Sequence, residues 1–227
     1  MSKATNIQIG QFSSISKDVI IGDGSIIGDH VSIEDGVIIG RNCYVGSFTK
    51  IYKNSEIGDN VQIQDFCNIG TDGYGYAQDS KGLSHYTPQI GKVVLSTGVR
   101  IGSHVSIDRA AFLKTEIGRN TIVNSFSHIA HNVIIGEDCY IDSGFVVAGS
   151  AIIGNKCQFS AKASSVGHIN ITNEVQLKEM GLVNNSIKKA NVYYGHPLQE
   201  EISHKESQSC IKELNEWEKT YGVESND

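Results

Sequence analysis

The sequence predicts an all-β chain, a parallel β-helix closed by a C-terminal α-helix, and three observations carry that reading. Every sixth residue from Ile9 is Ile or Val without exception: Ile9, Ile15, Ile21, Ile27, Ile33, Ile39, Val45, Ile51, Ile57, Ile63 and Ile69. The fifth place of each unit is small or β-branched, as in Ser13, Val19, Ser25, Val31, Cys43 and Thr49. Glycine repeatedly follows the apolar residue, at Gly10, Gly22, Gly28, Gly40, Gly46, Gly58 and Gly70.

A helix would smear a six-residue period around its whole circumference, and a conventional strand would need apolar residues at every second place. Each unit is therefore a short strand with two inward positions, followed by a corner where glycine supplies backbone freedom. Three units closing a triangle make a coil of 18 residues, and coils stack at the strand spacing of about 4.8 Å.

The rhythm breaks from Thr71 to about Val94, through Asp72-Gly73-Tyr74-Gly75-Tyr76 and His85-Tyr86-Thr87-Pro88. It resumes at Leu95, slips by four at Leu113-Lys114-Thr115-Glu116, and then runs from Ile117 to Val183. Phase is kept within each run, so the breaks are loops thrown out at a corner. A glycine- and tyrosine-rich excursion from a regular array points to function. The units fade after Val183. Leu198, Ile202, Ile211, Leu214, Trp217 and Tyr221 then fit one stripe of an amphipathic helix, docked on its own domain or on a neighbouring subunit. The division expected is a β-helix over 1–192, with insertions near 71–94 and 113–116, and a helical tail over 193–227.

A chain of 227 residues can bury a core without disulfides or metal. Cys43, Cys67, Cys139 and Cys157 occupy the inward fifth place and read as small buried side chains, while Cys210 lies in the tail. That usage fits a reducing compartment. With no charged-then-apolar leader and no apolar run of 18, the expectation is a cytoplasmic protein without a transmembrane segment. A net charge of −6 with no basic cluster gives no footprint for nucleic acid.

Among eight histidines, coil position selects two. His131 and His168 share one edge of the prism two coils apart, roughly 10 Å along the axis. Gly149 follows His131 by one coil and so stacks directly above it, with an unobstructed backbone N–H. An imidazole beside a free N–H is the minimum for acyl transfer: a base for the nucleophile's proton and a donor for the oxyanion.

Six segments carry a resemblance: Thr71-Asp72-Gly73-Tyr74-Gly75-Tyr76-Ala77, Pro88-Gln89-Ile90-Gly91-Lys92-Val93-Val94, Ile107-Asp108-Arg109-Ala110-Ala111, Ile129-Ala130-His131-Asn132, Val166-Gly167-His168-Ile169 and Gly195-His196-Pro197-Leu198-Gln199. In order and spacing they resemble the UDP-3-O-acylglucosamine N-acyltransferases, which are hexapeptide-repeat acyltransferases. The resemblance implies a left-handed β-helix and a homotrimer with active sites between subunits. It implies His131 as general base, Gly149 N–H as oxyanion donor, and Asn132 and His168 as substrate contacts. The family's Met-x-Met pair on the acyl groove falls on Met180 and Leu182. That family also has an N-terminal domain that grips uridine, whereas this chain starts almost at once with repeats, so the nucleotide is left open.

The expected function is transfer of an acyl group to the amine of a nucleotide-activated amino sugar, for lipid A or a surface polysaccharide. The co-substrate expected is an acyl carrier protein thioester or acyl-CoA, with no permanently bound cofactor or metal. Two other readings stay open. One is a trimeric zinc carbonic anhydrase using His128, His131 and His168, for which convergence of the three is awkward. The other is a non-catalytic scaffold, which an outward ladder of identical residues would favour; none is visible in the sequence.

Overall fold

A computed structural model describes residues 6–195 and 198–221. Short strands wind through three parallel sheets, beginning with Gln8–Ile9 on the first face, Ser14–Ile15 on the second and Ile20–Ile21 on the third. Ile9, Ile27, Val45 and Ile63 stand in one column, as the period of eighteen requires. Beyond it Ile63 pairs with Ile101 and Ile101 with Val123, which are twenty and four residues more than one coil. The triangle absorbs both insertions at one edge and restores its phase afterwards.

The core is a stack of β-branched side chains, with Ile27, Ile39, Ile51, Ile63, Ile101 and Ile117 each at most 1 % exposed. Several polar residues at the fifth place are buried at little cost because they bond to a carbonyl of an adjoining coil. Ser25 Oγ donates to Gly40 O at 2.9 Å, Thr121 Oγ1 to Gly136 O at 2.7 Å and Cys43 Sγ to Gly58 O at 3.0 Å. The four inward cysteines are buried and free, and Cys210 is exposed.

The corners correct one expectation. Left-handed backbone is adopted mainly at the fourth place of each unit, by Asn42, Asn60, Phe48, His104 and Asn132 among others. Except at Gly70, whose φ of 92° fits the expectation, the glycine after the apolar residue is needed for space instead. A Cβ on Gly22 would stand 2.6 Å from the backbone of Gly40 one coil above, and one on Gly118 would stand 2.5 Å from Gly136. Stacking distance, more than dihedral freedom, dictates glycine there.

The corners also carry a ladder of unlike rings. Phe12, His30, Phe48, Phe66, His104 and Phe126 form a continuous column of stacked outward rings on the edge between the first and second faces, with centroids 4.8 to 5.1 Å apart. Mixed Phe and His, and two register jumps, hide the column in the sequence. Stacked rings at the inter-coil distance each contribute about 0.5–1.5 kcal/mol beyond area burial.

The final strands, Val192–Tyr194 and Gln199–Glu200, form an antiparallel pair, and the helix Glu201–Tyr221 follows. Its first turn is tied to the domain by the His204 ring stacked on Tyr194 at 5.1 Å. Further along, Ile211, Leu214 and Trp217 are solvent-exposed in the single chain. The first turn therefore docks on its own β-helix.

Replacing Ile39, 1 % exposed in the second coil of the stack, by Asp should abolish cooperative folding, because an unpaired carboxylate would lie between coils. Circular dichroism of the variant should show no thermal transition.

Candidate functional site

The site stands on the edge between the second and third faces, where both insertions emerge. Four corners lie over one another here: Ala110–Leu113, Ala130–Asn132, Ala148–Ser150 and Val166–His168. The excursion that leaves after Thr71 forms a small hairpin, Tyr76–Gln78 against Ser84–Tyr86, and folds back over this edge. Arg109, 1 % exposed, holds its base by donating to Gly70 O at 2.7 Å.

His131 is clamped between two glycines. A Cβ on Gly149 would stand 2.6 Å from His131 Nε2, and a Cβ on Gly73 would stand 2.7 Å from His131 Cβ and 3.0 Å from Nδ1. The ring is thus held by backbone on both sides. Nδ1 is buried without a hydrogen-bond partner among the described residues, so packing orients the imidazole. Desolvation, then the charge of His168, pushes the His131 pKa below 6.5. The neutral base is favoured in the folded protein.

Gly149 and His168 join it as expected from the eighteen-residue phase. The Gly149 N–H donates to no group among the described residues, while its carbonyl accepts from His168 N at 3.0 Å. Asn132 serves the scaffold: its Oδ1 accepts from Ala111 N at 2.9 Å and its own N–H donates to Thr115 Oγ1 at 2.9 Å, which secures the four-residue slip. Met180 and Leu182 are not brought to His131 within one chain. Leu182 lies three coils above His128 in the outward column of the second face, and Met180 sits on the edge that carries the aromatic column. His196 and Pro197, from the last resembling segment, lie outside the described residues.

Two cavities flank His131. On the second-face side, about 430 Å³ is bounded by Asp72, Gly73, Tyr74, Tyr76, Tyr86, Asp108 and His128. On the third-face side, about 820 Å³ is lined by Phe112, Leu113, Asn132 and Ile134 with Lys92 and Lys114. Phe112 and Leu113 are 72 % and 82 % exposed, so this cleft has an apolar wall open to solvent. Sequence reasoning missed Gly73, Asp108, Phe112 and Leu113 as site residues, because the register jumps obscure which corners they share. His128 was named only as a zinc candidate; here it faces Asp108, Nε2 to Oδ2 at 3.5 Å. Among the described residues no group of three His, Cys, Asp or Glu is arranged to hold a metal ion.

A family model described as "Bacterial transferase hexapeptide (six repeats)" matches residues 36–71 and 114–144. The match and the stacked coils agree: the chain is built of hexapeptide repeats. A UDP-3-O-acylglucosamine N-acyltransferase of Coxiella burnetii is 40 % identical over 185 residues, covering 82 % of this chain and 54 % of that protein. One of the same name from Wolinella succinogenes is 33 % identical over 171 residues, covering 75 % and 54 %. The hexapeptide-repeat chain thus spans about half the length of these curated relatives. Among solved structures, a UDP-N-acetylglucosamine acyltransferase of Bacteroides fragilis superposes with a TM-score of 0.67 at 19 % identity, covering 95 % of this chain and 85 % of that one. Another, from Moraxella catarrhalis, gives 0.60 at 21 %, covering 98 % and 87 %. At that identity the likeness shows the fold, and the coil is the left-handed one.

Gly149→Ala should displace the imidazole while leaving the fold intact, since Gly149 has ordinary φ and the three atoms nearest its Cβ all belong to the His131 ring. Gly73→Ala should act on the same ring from the opposite side. In both variants the melting temperature should stay within about 2 °C of the parent, corresponding to under about 0.5 kcal/mol. NMR titration of the His131 ring should show its pKa changed.

Proposed function

We propose that the protein transfers an acyl group from a thioester to the amine of a nucleotide-linked amino sugar, in lipid A or surface polysaccharide synthesis. The observation that carries this reading is the clamped, neutral His131 beside the unused N–H of Gly149. The names of the relatives agree with it.

Mechanistically, the thioester carbonyl lies with its oxygen toward Gly149 N–H. That donor stabilises the charge that develops as the amine attacks, and a pre-aimed donor of this kind contributes about 2.7–4 kcal/mol. His131 takes a proton from the attacking nitrogen and returns it to the departing thiolate. No covalent enzyme intermediate is required, because the thioester is already activated. The acyl chain occupies the apolar cleft of Phe112, Leu113 and Ile134. The sugar occupies the smaller polar cavity, so His131 sits between donor and acceptor. His168 contributes to holding the substrates and lowers the His131 pKa.

The acyl donor is an acyl carrier protein or coenzyme A thioester, and the working assembly is a cyclic trimer in the cytoplasm. A neighbouring copy presenting the edge that carries Met180 would bring Met180 and Leu182 to the acyl cleft and cover the exposed Phe112 and Leu113. Sedimentation should then show a trimer at micromolar concentration; a fully active monomer would contradict the assembly.

His131→Ala should lower the rate of thiol release by about 10²–10⁴-fold with fold and assembly unchanged. In the parent, kcat at saturating substrate should rise with pH through an ionisation below 6.5, because the protonated imidazole cannot accept a proton and burial lowers its pKa. Parent-like turnover in His131→Ala would remove the base from the mechanism. His168→Ala should raise KM more than it lowers kcat.

A further inference from the structure

The smaller cavity contains a carboxyl group that the mechanism above does not use. Asp108 projects from the end of its strand into this cavity, with its side chain only 8 % exposed. Among the described residues its carboxylate accepts no hydrogen bond, and its one polar neighbour is His128 Nε2 at 3.5 Å. The other carboxylate at the cavity, Asp72, is differently placed. It is 60 % exposed, lies 3.5 Å from Arg109 Nε and accepts a hydrogen bond from Tyr86 Oη at 2.8 Å. The Arg109 guanidinium itself is turned to the carbonyls of Gly70 and Lys53. Asp108 is therefore a buried carboxyl group whose nearest partner, the His128 ring at 3.5 Å, leaves it facing a space that three tyrosines wall.

The geometry points to Asp108 as the residue that receives the acceptor's amine in its ammonium form, removes its first proton, and so selects an amino sugar over the equivalent hydroxy sugar. This assignment rests on the acyl-transfer reading of the same site. A buried carboxylate whose nearest base is an imidazole held toward its neutral form is costly to keep charged, and an incoming cation relieves that cost; a neutral hydroxyl relieves far less. The tyrosine rings add to the preference, since Tyr74 and Tyr76 lie 4.9 Å apart and Tyr76 and Tyr86 5.7 Å apart, and such faces attract cations.

Two consequences of burial agree. Desolvation, with the charge of Asp72, pushes the Asp108 pKa up to about 7, which suits a group that must take a proton near neutrality. Desolvation, with the charge of His131, lowers the pKa of His128, so in the empty cavity both members of the close pair favour their neutral forms. The distance resembles an ion pair, but burial decides against charge until a ligand arrives.

The proton path then balances. The ammonium gives one proton to the Asp108 carboxylate and becomes a neutral amine with a free lone pair. That lone pair forms the C–N bond while the thioester C=O electrons move onto the oxygen facing Gly149. His131 takes a second proton from the now cationic nitrogen. The oxyanion collapses, the C–S bond breaks, and His131 returns its proton to the thiolate. Asp108 passes the first proton to His128, whose 42 % exposed side chain releases it to water. His131, with its lowered pKa, is a poor acceptor for an ammonium proton but a sufficient one for the more acidic nitrogen of the tetrahedral adduct.

The test is calorimetric binding to the full chain, without acyl donor, of UDP-3-O-acylglucosamine and of its hydroxy counterpart UDP-3-O-acylglucose. Asp108→Asn should weaken the amino sugar by about 10- to 100-fold, the range for a hydrogen bond to a charged group, and leave the hydroxy sugar within about threefold. Equal losses for both sugars, or none for either, would overturn the assignment. In the parent, amino-sugar affinity should fall as pH drops through about 7, where Asp108 gains its proton, and hydroxy-sugar affinity should not; parallel pH profiles would also overturn it. This second measurement stands if the variant does not fold. A parent that binds neither sugar would remove the acyl-transfer reading together with the role of Asp108, whereas undiminished amino-sugar binding by Asp108→Asn would remove that role alone.

Discussion

The structure depends on one constraint: each coil must offer its backbone N–H and C=O groups to the coils above and below at the spacing of paired strands. Bonds such as Gly28 N to Val45 O and Gly46 N to Ile63 O, at 2.8 and 2.7 Å, repeat along the described chain. Burial of Ile and Val stabilises the stack by about 25 cal/mol per Å² of apolar surface, but the ladder sets its period. A corner that came one residue early would rotate every later side chain from core to solvent. That is why insertions leave at an edge, and why the phase is restored as soon as they return.

The same constraint builds the site. Because corners superpose, residues one coil apart become immediate neighbours, and a glycine above a histidine leaves room for the imidazole and uncovers an N–H. A regular scaffold thus produces a reactive arrangement from a single side chain, the absence of another, and a loop that folds back. Gly73 and Gly149 hold the His131 ring by contact alone, so its orientation costs no buried polar partner beyond the unsatisfied Nδ1. Burial by these neighbours also supplies the electrostatics, lowering the pKa of His131 and His128 and raising that of Asp108.

Regularity has a second product, the column of Phe and His rings between the first and second faces. Ring stacking at about 5 Å matches the inter-coil spacing, so any edge that places aromatics at its fourth position acquires a ladder. The mixture of Phe and His shows that ring shape, not residue identity, is what the stacking requires.

The sequence by itself determined the coil and much of the site. An unbroken six-residue period leaves no other fold, and counting in eighteens from His131 places Gly149 above it and His168 on the same edge, because in a solenoid sequence distance is spatial distance. The counting fails wherever the chain departs from the period. The excursion after Thr71 returns over an edge that no spacing rule specifies, so the contact of Gly73 with His131 emerged only in the tertiary structure. The burial of Asp108 against His128 did too, since a jump of four residues separates its coil from that of His131. Met180 obeys the count, standing three coils above Phe126, and what the sequence left unread was that this edge lies away from His131 within one chain. Local period is written in the side chains, whereas the path of a loop is set by the many contacts it makes on returning, and those have no period to read.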